Sequence, residues 1–238
     1  YGKTILLTLY KIHLSTTKSF FIMLLHNPYD LIIIQQNVIP EEHIEEIMLL
    51  TNDKKNISQA TIINDTSEHP DNTSEKKTDK NGTNLEVRNT LWYTITDEMN
   101  KKFEEAVATC FVEIVAPKYR CEFKSYEPVQ FLGYPPGGHY LAHNDGETFN
   151  YETRQWDPIM PRDVSFLFYL NDQYGGGELE FPELGLTIKP KKGMMIAFPS
   201  YKEYVHKVHP VTWGHRYTLV SWVGTKQKLY DTIPTEGV

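Results

Sequence analysis

Five of the nine histidines in this 238-residue chain fall between positions 139 and 215, and one of them, His143, stands two residues before Asp145. On an extended segment residues i and i+2 share a face, so an imidazole and a carboxylate at that spacing converge on one point. A facial metal set needs a third donor. His206, beyond the apolar stretch 194–198, can supply it from a neighbouring strand. Two imidazoles and one carboxylate, with three positions left open, form the donor set that suits non-haem Fe(II). Taken alone the triplet is weak, because a chain with nine histidines offers it often, and a hydrogen-bonded surface pair is the plain alternative. Two rivals stay open at this level. His139 precedes His143 by four, the spacing of a helical metal pair, although Pro135-Pro136-Gly137-Gly138 opposes a helix there. His209 rivals His206.

The elements that must position these groups are short strands. Val164–Leu170 is almost wholly apolar and is followed by Asn171-Asp172 and Gly175-Gly176-Gly177; 186–188 alternates; Pro190-Lys191-Lys192-Gly193 turns the chain into 194–198; 217–223 is another run. Strands at this spacing with turn residues between them predict an antiparallel sandwich or barrel. Upstream, 31–34 suits a short buried strand. Pro40-Glu41-Glu42 opens a helix with Ile44, Ile47 and Met48 on one face. Thr96 caps a longer helix carrying Met99, Phe103, Val107, Cys110 and Ile114, and Pro117 closes it. Both helices are expected on one outer face of the strands, with Cys110 as a small core residue.

Composition bounds the rest. With 40% hydrophobic residues the chain can build a core, and 24 Lys+Arg against 31 Asp+Glu leave a net charge of −7. That balance argues against a surface made to hold phosphate backbones, so no nucleic-acid partner is expected. Cys110 and Cys121 make no disulfide framework. Near the start the longest apolar run, 20–25, is six residues, against the roughly twenty of a spanning helix, so no membrane anchor is expected. No signal peptide stands out. The first residue is Tyr, not Met, which leaves the native start open; cytoplasmic placement is the working expectation. Residues 51–85 hold only five apolar residues and read as a polar, flexible insertion. The expected organisation is a leader at 1–27, a domain at 28–225 interrupted by 51–85, and a tail at 226–238.

The frame around His143 carries a resemblance. Tyr134-Pro135-Pro136-Gly137-Gly138-His139-Tyr140 leads into it; Arg162, then Val164 to Asn171, then Gly175-Gly176-Gly177-Glu178-Leu179-Glu180-Phe181-Pro182 follow. The Pro190/Gly193 turn, His206-x-x-x-Pro210-Val211 and Gly214-His215-Arg216-Tyr217 complete the series. Together these resemble the prolyl 4-hydroxylase-like branch of the 2-oxoglutarate and Fe(II)-dependent dioxygenases, from about Leu31 to Gly224. The resemblance implies a mainly β fold with flanking helices, a double-stranded β-helix or jelly roll. It implies His143, Asp145 and His206 as iron ligands, His206 being preferred to His209 for its distances to Pro210 and Arg216. Arg216 matches the cation that holds the far carboxylate of 2-oxoglutarate, where many collagen-type relatives place Lys. Tyr169 and Tyr134 match tyrosines of the cosubstrate pocket, and Trp222 matches an aromatic of the site wall. Fe(II), 2-oxoglutarate and O2 are the implied cofactor and cosubstrates, with ascorbate as candidate reductant, and succinate and CO2 as coproducts of a C–H hydroxylation.

Peptidyl proline is the leading substrate expectation, with a free amino acid or small metabolite as alternative; oligomeric state is left open. Between the H-x-D triplet and the next strand, residues 146–161 are the candidate lid, and Phe149, Tyr151 and Trp156 could stack on a substrate ring or pack on one another. Three rival readings are weighed. A nucleic-acid demethylase would carry a second arginine where Trp222 stands. A non-catalytic metal-binding module would have lost a ligand or the arginine. A zinc or manganese jelly-roll enzyme would not need Arg216.

Overall fold

The computed structural model describes residues 28–61 and 83–229; the expected leader and most of the expected insertion and tail lie outside the described residues. The strands in chain order are β1 (Ile33–Gln36), β2 (Ile57–Gln59), β3 (Arg88–Asn89), β4 (Leu91–Tyr93), β5 (Phe123–Tyr126), β6 (Gln130–Tyr134), β7 (His139–His143), β8 (Glu147–Asn150), β9 (Gln155–Pro158), β10 (Val164–Tyr169), β11 (Tyr174–Gly176), β12 (Leu179–Phe181), β13 (Leu186–Ile188), β14 (Met194–Pro199), β15 (His206–Val208), β16 (Val211–Gly214) and β17 (Arg216–Thr225). Helix α1 spans Glu41–Met48, α2 spans Asp97–Cys110 and α3 spans Ala116–Tyr119.

Two antiparallel sheets form the body. The larger runs β1-β14-β10-β17-β6-β4-β2, with β5 pairing the far half of β17; the smaller runs β13-β12-β15-β7-β3. They meet face to face, as the edge-on contact of Phe181 on β12 with Phe198 on β14 shows, the ring centroids lying 4.9 Å apart. Each such ring is fully buried, worth about 1.5–3 kcal/mol of transfer free energy. This is the expected jelly roll.

Strand β10 is buried on both faces, for a reason visible in its neighbours. Ser165 and Leu167 face the inter-sheet side, whereas Val164, on the face of Phe166 and Phe168, stands in register with Val223, which shares a groove with Val107, Ala108 and Phe111 of the long helical segment. The helices therefore cover one outer face, as expected. Thr96 caps α2 through its hydroxyl oxygen, which accepts from the Met99 amide at 3.2 Å.

Four expectations need correction. Pro117 does not close the long helix. The chain passes through a π-helical turn at Phe111–Val115 and continues into α3, where Pro117 sits in the first turn, and Arg120 in the left-handed region ends it. The wider turn shifts the buried face onto Phe111 and Val115, leaving Ile114 half-buried. The stretch 31–34 is not a buried strand: β1 is a sheet edge, with Ile33 buried and Ile34 46% exposed. Residues 51–61 are not flexible insertion, since β2 pairs with β4 and Ala60 is buried. Past the expected boundary at 225, Leu229 is fully buried in the core.

One turn is settled by a single atom. Gly176, with φ of +69°, brings its backbone so close to Pro210 that an added Cβ would lie 2.1 Å from the Pro210 carbonyl oxygen. Only glycine closes β11 onto β16 there.

Candidate active site

His143 ends β7 and lies directly opposite His206 on β15. Between this pair and the next, Val208 opposite Tyr140, β7 carries one residue more than β15. That bulge turns both Tyr140 and His143 toward the cavity, although they are three apart. Asp145 follows in the turn after β7. Nε2 of His143 lies 3.7 Å from one carboxylate oxygen of Asp145, and Nε2 of His206 lies 3.7 Å from the other. The three donor atoms fall within 4.8 Å of one another.

The surrounding hydrogen bonds prepare these donors. Nδ1 of His143 lies 2.7 Å from the Leu141 carbonyl and Nδ1 of His206 lies 3.1 Å from that of Tyr204. Carbonyls only accept, so Nδ1 carries the proton on each ring and Nε2 presents its lone pair to the centre. Burial, with His206 beside it, holds the His143 imidazole well below its ordinary range and therefore neutral. Burial alone would raise the Asp145 carboxyl, but His206, His143 and the Ser165 hydroxyl together pull it below the usual carboxylate range. Ser165 donates to Asp145 Oδ2 at 2.7 Å and lies 2.8 Å from the Ser200 hydroxyl. Two imidazoles that present Nε2 and an ionised carboxylate, each tied from behind, match the needs of a divalent iron centre.

Along β17, alternate residues Arg216, Thr218, Val220 and Trp222 all line the same inter-sheet cavity of about 160 Å³ as the three donors. Trp222 stands in register beside Ser165. Its ring carries the Arg162 guanidinium at 3.8 Å, and its indole N–H, lacking a well-aligned partner, faces the Asp145 carboxylate. Arg162 is itself held by Glu127 through two hydrogen bonds of 2.5 and 2.6 Å.

Arg216 is 1% exposed and finds no carboxylate among the described residues. Its guanidinium rests against Tyr134 at 4.5 Å and Tyr169 at 5.0 Å, ring centroid to carbon. Its Nε and Nη1, and the hydroxyls of Tyr169, Tyr174 and Thr218, are buried without a well-formed hydrogen bond. Burial pushes the Tyr169 and Tyr174 phenols up, so both stay protonated donors. A buried cation with unfilled donors is costly unless an anion joins it. The cluster fits the far carboxylate of a dicarboxylate such as 2-oxoglutarate, placed by the same cavity within reach of the three metal donors.

Not every expected residue joins this site. His139 binds the carbonyls of Gly137 and Glu86, and His209, just beyond β15, pairs with Glu180 at 2.5 Å. Phe149, Tyr151 and Trp156 do not line the cavity. The candidate lid is a β8–β9 hairpin whose Phe149 stands opposite Trp156 and packs edge-on against both partners. Ile159 and Met160, just beyond the hairpin, reach the cavity instead. Sequence reasoning passed over Ser165, Tyr174 and Thr218. Only Thr218 had a signal, its even spacing from Arg216.

Comparison with known proteins agrees with this geometry. Residues 129–224 match the family model described as the 2OG-Fe(II) oxygenase superfamily. Over 66 residues the chain is 44% identical to prolyl 3-hydroxylase 2 of Mus musculus, covering 26% of this chain and 9% of that protein. Over 104 residues it is 33% identical to a PKHD-type hydroxylase of Crocosphaera subtropica, covering 42% and 44%. The chain thus spans less than half the length of either relative. Its fold is similar to that of a prolyl hydroxylase from Trichoplax adhaerens solved in complex with a hypoxia-inducible-factor peptide fragment: TM-score 0.60, 17% identity, covering 84% of this chain and 86% of that one. Members of the matched superfamily use Fe(II), 2-oxoglutarate and O2. Residues 129–224 of this chain are therefore similar to the 2OG-Fe(II) oxygenase superfamily, and the relatives it resembles include prolyl and PKHD-type hydroxylases.

Proposed function

We propose that this protein is a dioxygenase that hydroxylates a prolyl residue of a peptide or protein. One observation carries the reading: His143, Asp145, His206 and the unpaired Arg216 converge on a single cavity between the sheets. Iron held by the three donors, with 2-oxoglutarate, would supply the oxygen activation that an unactivated C–H bond requires. The chain's own residues bind and orient. Arg216, with the Tyr169 and Tyr174 hydroxyls, takes the far carboxylate through paired hydrogen bonds. Ser165 and the backbone carbonyls behind the two histidines hold the donor atoms in place. Leu167, Leu179, Val208 and Val220 line the cavity with hydrocarbon and limit water beside the reacting centre. The names of the curated relatives and the peptide held by the Trichoplax protein favour a prolyl substrate in a peptide. Incubating the protein with Fe(II), 2-oxoglutarate, O2 and a panel of prolyl peptides tests this. Gain of one oxygen atom on proline, with matching succinate, is the expected result; succinate formed with hydroxylation of free proline alone would move the substrate to the amino acid.

A further inference from the structure

One cation on the cavity wall has no part in holding metal or cosubstrate. Arg88 on β3 stands directly opposite Tyr140 on β7, and its guanidinium lies over the Tyr140 ring at 4.8 Å. Tyr140 in turn stacks on His143, with centroids 3.6 Å apart and planes at 20°. The guanidinium is thus two stacked rings from the metal donors, on the wall that also includes Ile159 and Met160. Nη1 is committed, donating to the Thr61 carbonyl at 2.9 Å. Nε is buried without a partner, and among the described residues no carboxylate pairs with Arg88. Among the described residues the Nε–Nη2 edge of the guanidinium therefore has no acceptor. That edge presents two parallel N–H groups, the geometry that accepts a carboxylate through two hydrogen bonds.

We propose that Arg88 is a specificity-determining residue that takes a carboxylate of the substrate, so that the preferred prolyl residue is flanked by an acidic side chain. The inference rests on the hydroxylase reading, and its test is built on binding so that the two can fail separately. Tyr140 fixes where the acidic group sits, since the cation–π contact holds the fork at one place beside the reacting centre.

Two fluorescein-labelled peptides, Gly-Gly-Glu-Pro-Glu-Gly-Gly and Gly-Gly-Gln-Pro-Gln-Gly-Gly, provide the probes, with anisotropy as the readout. The wild-type protein should bind the acidic peptide about 10- to 100-fold more tightly, the value of a charge-assisted fork. Arg88→Gln should level the two peptides, and Arg88→Lys should recover part of the preference, because charge returns without the fork. Lys118→Gln, which removes an exposed cation outside the cavity, should leave the preference intact and so exclude a general charge effect. Equal wild-type affinity for the two peptides, no binding of the acidic one, or a preference that survives Arg88→Gln would overturn the inference. Succinate release without any peptide reads the hydroxylase assignment independently.

Discussion

Replacing Arg216 by alanine should separate cosubstrate binding from both iron binding and folding. The side chain is 1% exposed, its Nε and Nη1 are unpaired, and among the described residues the titratable groups that face it are the Tyr134, Tyr169 and Tyr174 phenols. Without the arginine, the far carboxylate of 2-oxoglutarate would enter a buried site with neutral donors only. Losing one partner of a buried, hydrogen-bonded charge pair costs about 2–5 kcal/mol. At roughly 1.4 kcal/mol per tenfold, the affinity for 2-oxoglutarate falls about 30-fold to several thousandfold. The ligand-free protein should behave in the opposite sense. An uncompensated buried cation is a burden, so Arg216→Met, of similar volume, should be neutral or stabilising in the absence of cosubstrate. Arg216→Lys should bind at an intermediate affinity. The assay is anaerobic titration of 2-oxoglutarate into the Fe(II) protein, followed by the metal-to-ligand absorption band, alongside thermal melts with and without ligand. Wild-type affinity in Arg216→Ala would refute the assignment of this residue to the carboxylate.

Three further outcomes follow from the same structure. His206→Ala should abolish Fe(II) binding by calorimetry, whereas His209→Ala, which loses only its pair with Glu180, should keep it; the reverse result would exchange their roles. A Gly/Ser linker in place of residues 62–82 should leave the melting temperature within about 2 °C, since that stretch is polar in composition, whereas extending the replacement back to residue 53 should cost several degrees by removing β2 and the buried Ala60. Burial pushes the thiols of Cys110 and Cys121 up to about 11, against about 8.5 for free cysteine. The unfolded chain releases these protons first, so their stabilising contribution is complete below about 8.5 and is lost as pH rises toward 11. Urea midpoints should fall across that window, and less steeply in a Cys110→Ala/Cys121→Ala double variant; identical slopes would contradict the argument.

What could be read from the chain was what repeats with a simple period or depends on adjacent residues. The i, i+2 spacing brought His143 and Asp145 together, and Thr96 announced the cap of α2. Features that depend on distant partners were hidden. The β7 bulge that admits both Tyr140 and His143 exists because β15 opposes it with one residue fewer. The π-turn at Phe111–Val115 is a change of phase that helical spacing alone cannot reveal. A run as apolar as 31–34 reads as core, yet its position at a sheet edge exposes Ile34. Phe149, Tyr151 and Trp156 offered two uses, and the hairpin register spends them on one another. The polar composition of 51–61 concealed a strand whose stability comes from pairing with β4.

The proposed hydroxylation depends on His143, Asp145 and His206 holding iron beside 2-oxoglutarate. Succinate formed from 2-oxoglutarate with Fe(II) and O2, compared between wild type and Asp145→Ala, tests it most directly. Iron-dependent succinate is expected from the wild type and none above background from Asp145→Ala, with both proteins folded by circular dichroism. Equal succinate from the two proteins, or none from the iron-loaded wild type, would contradict it.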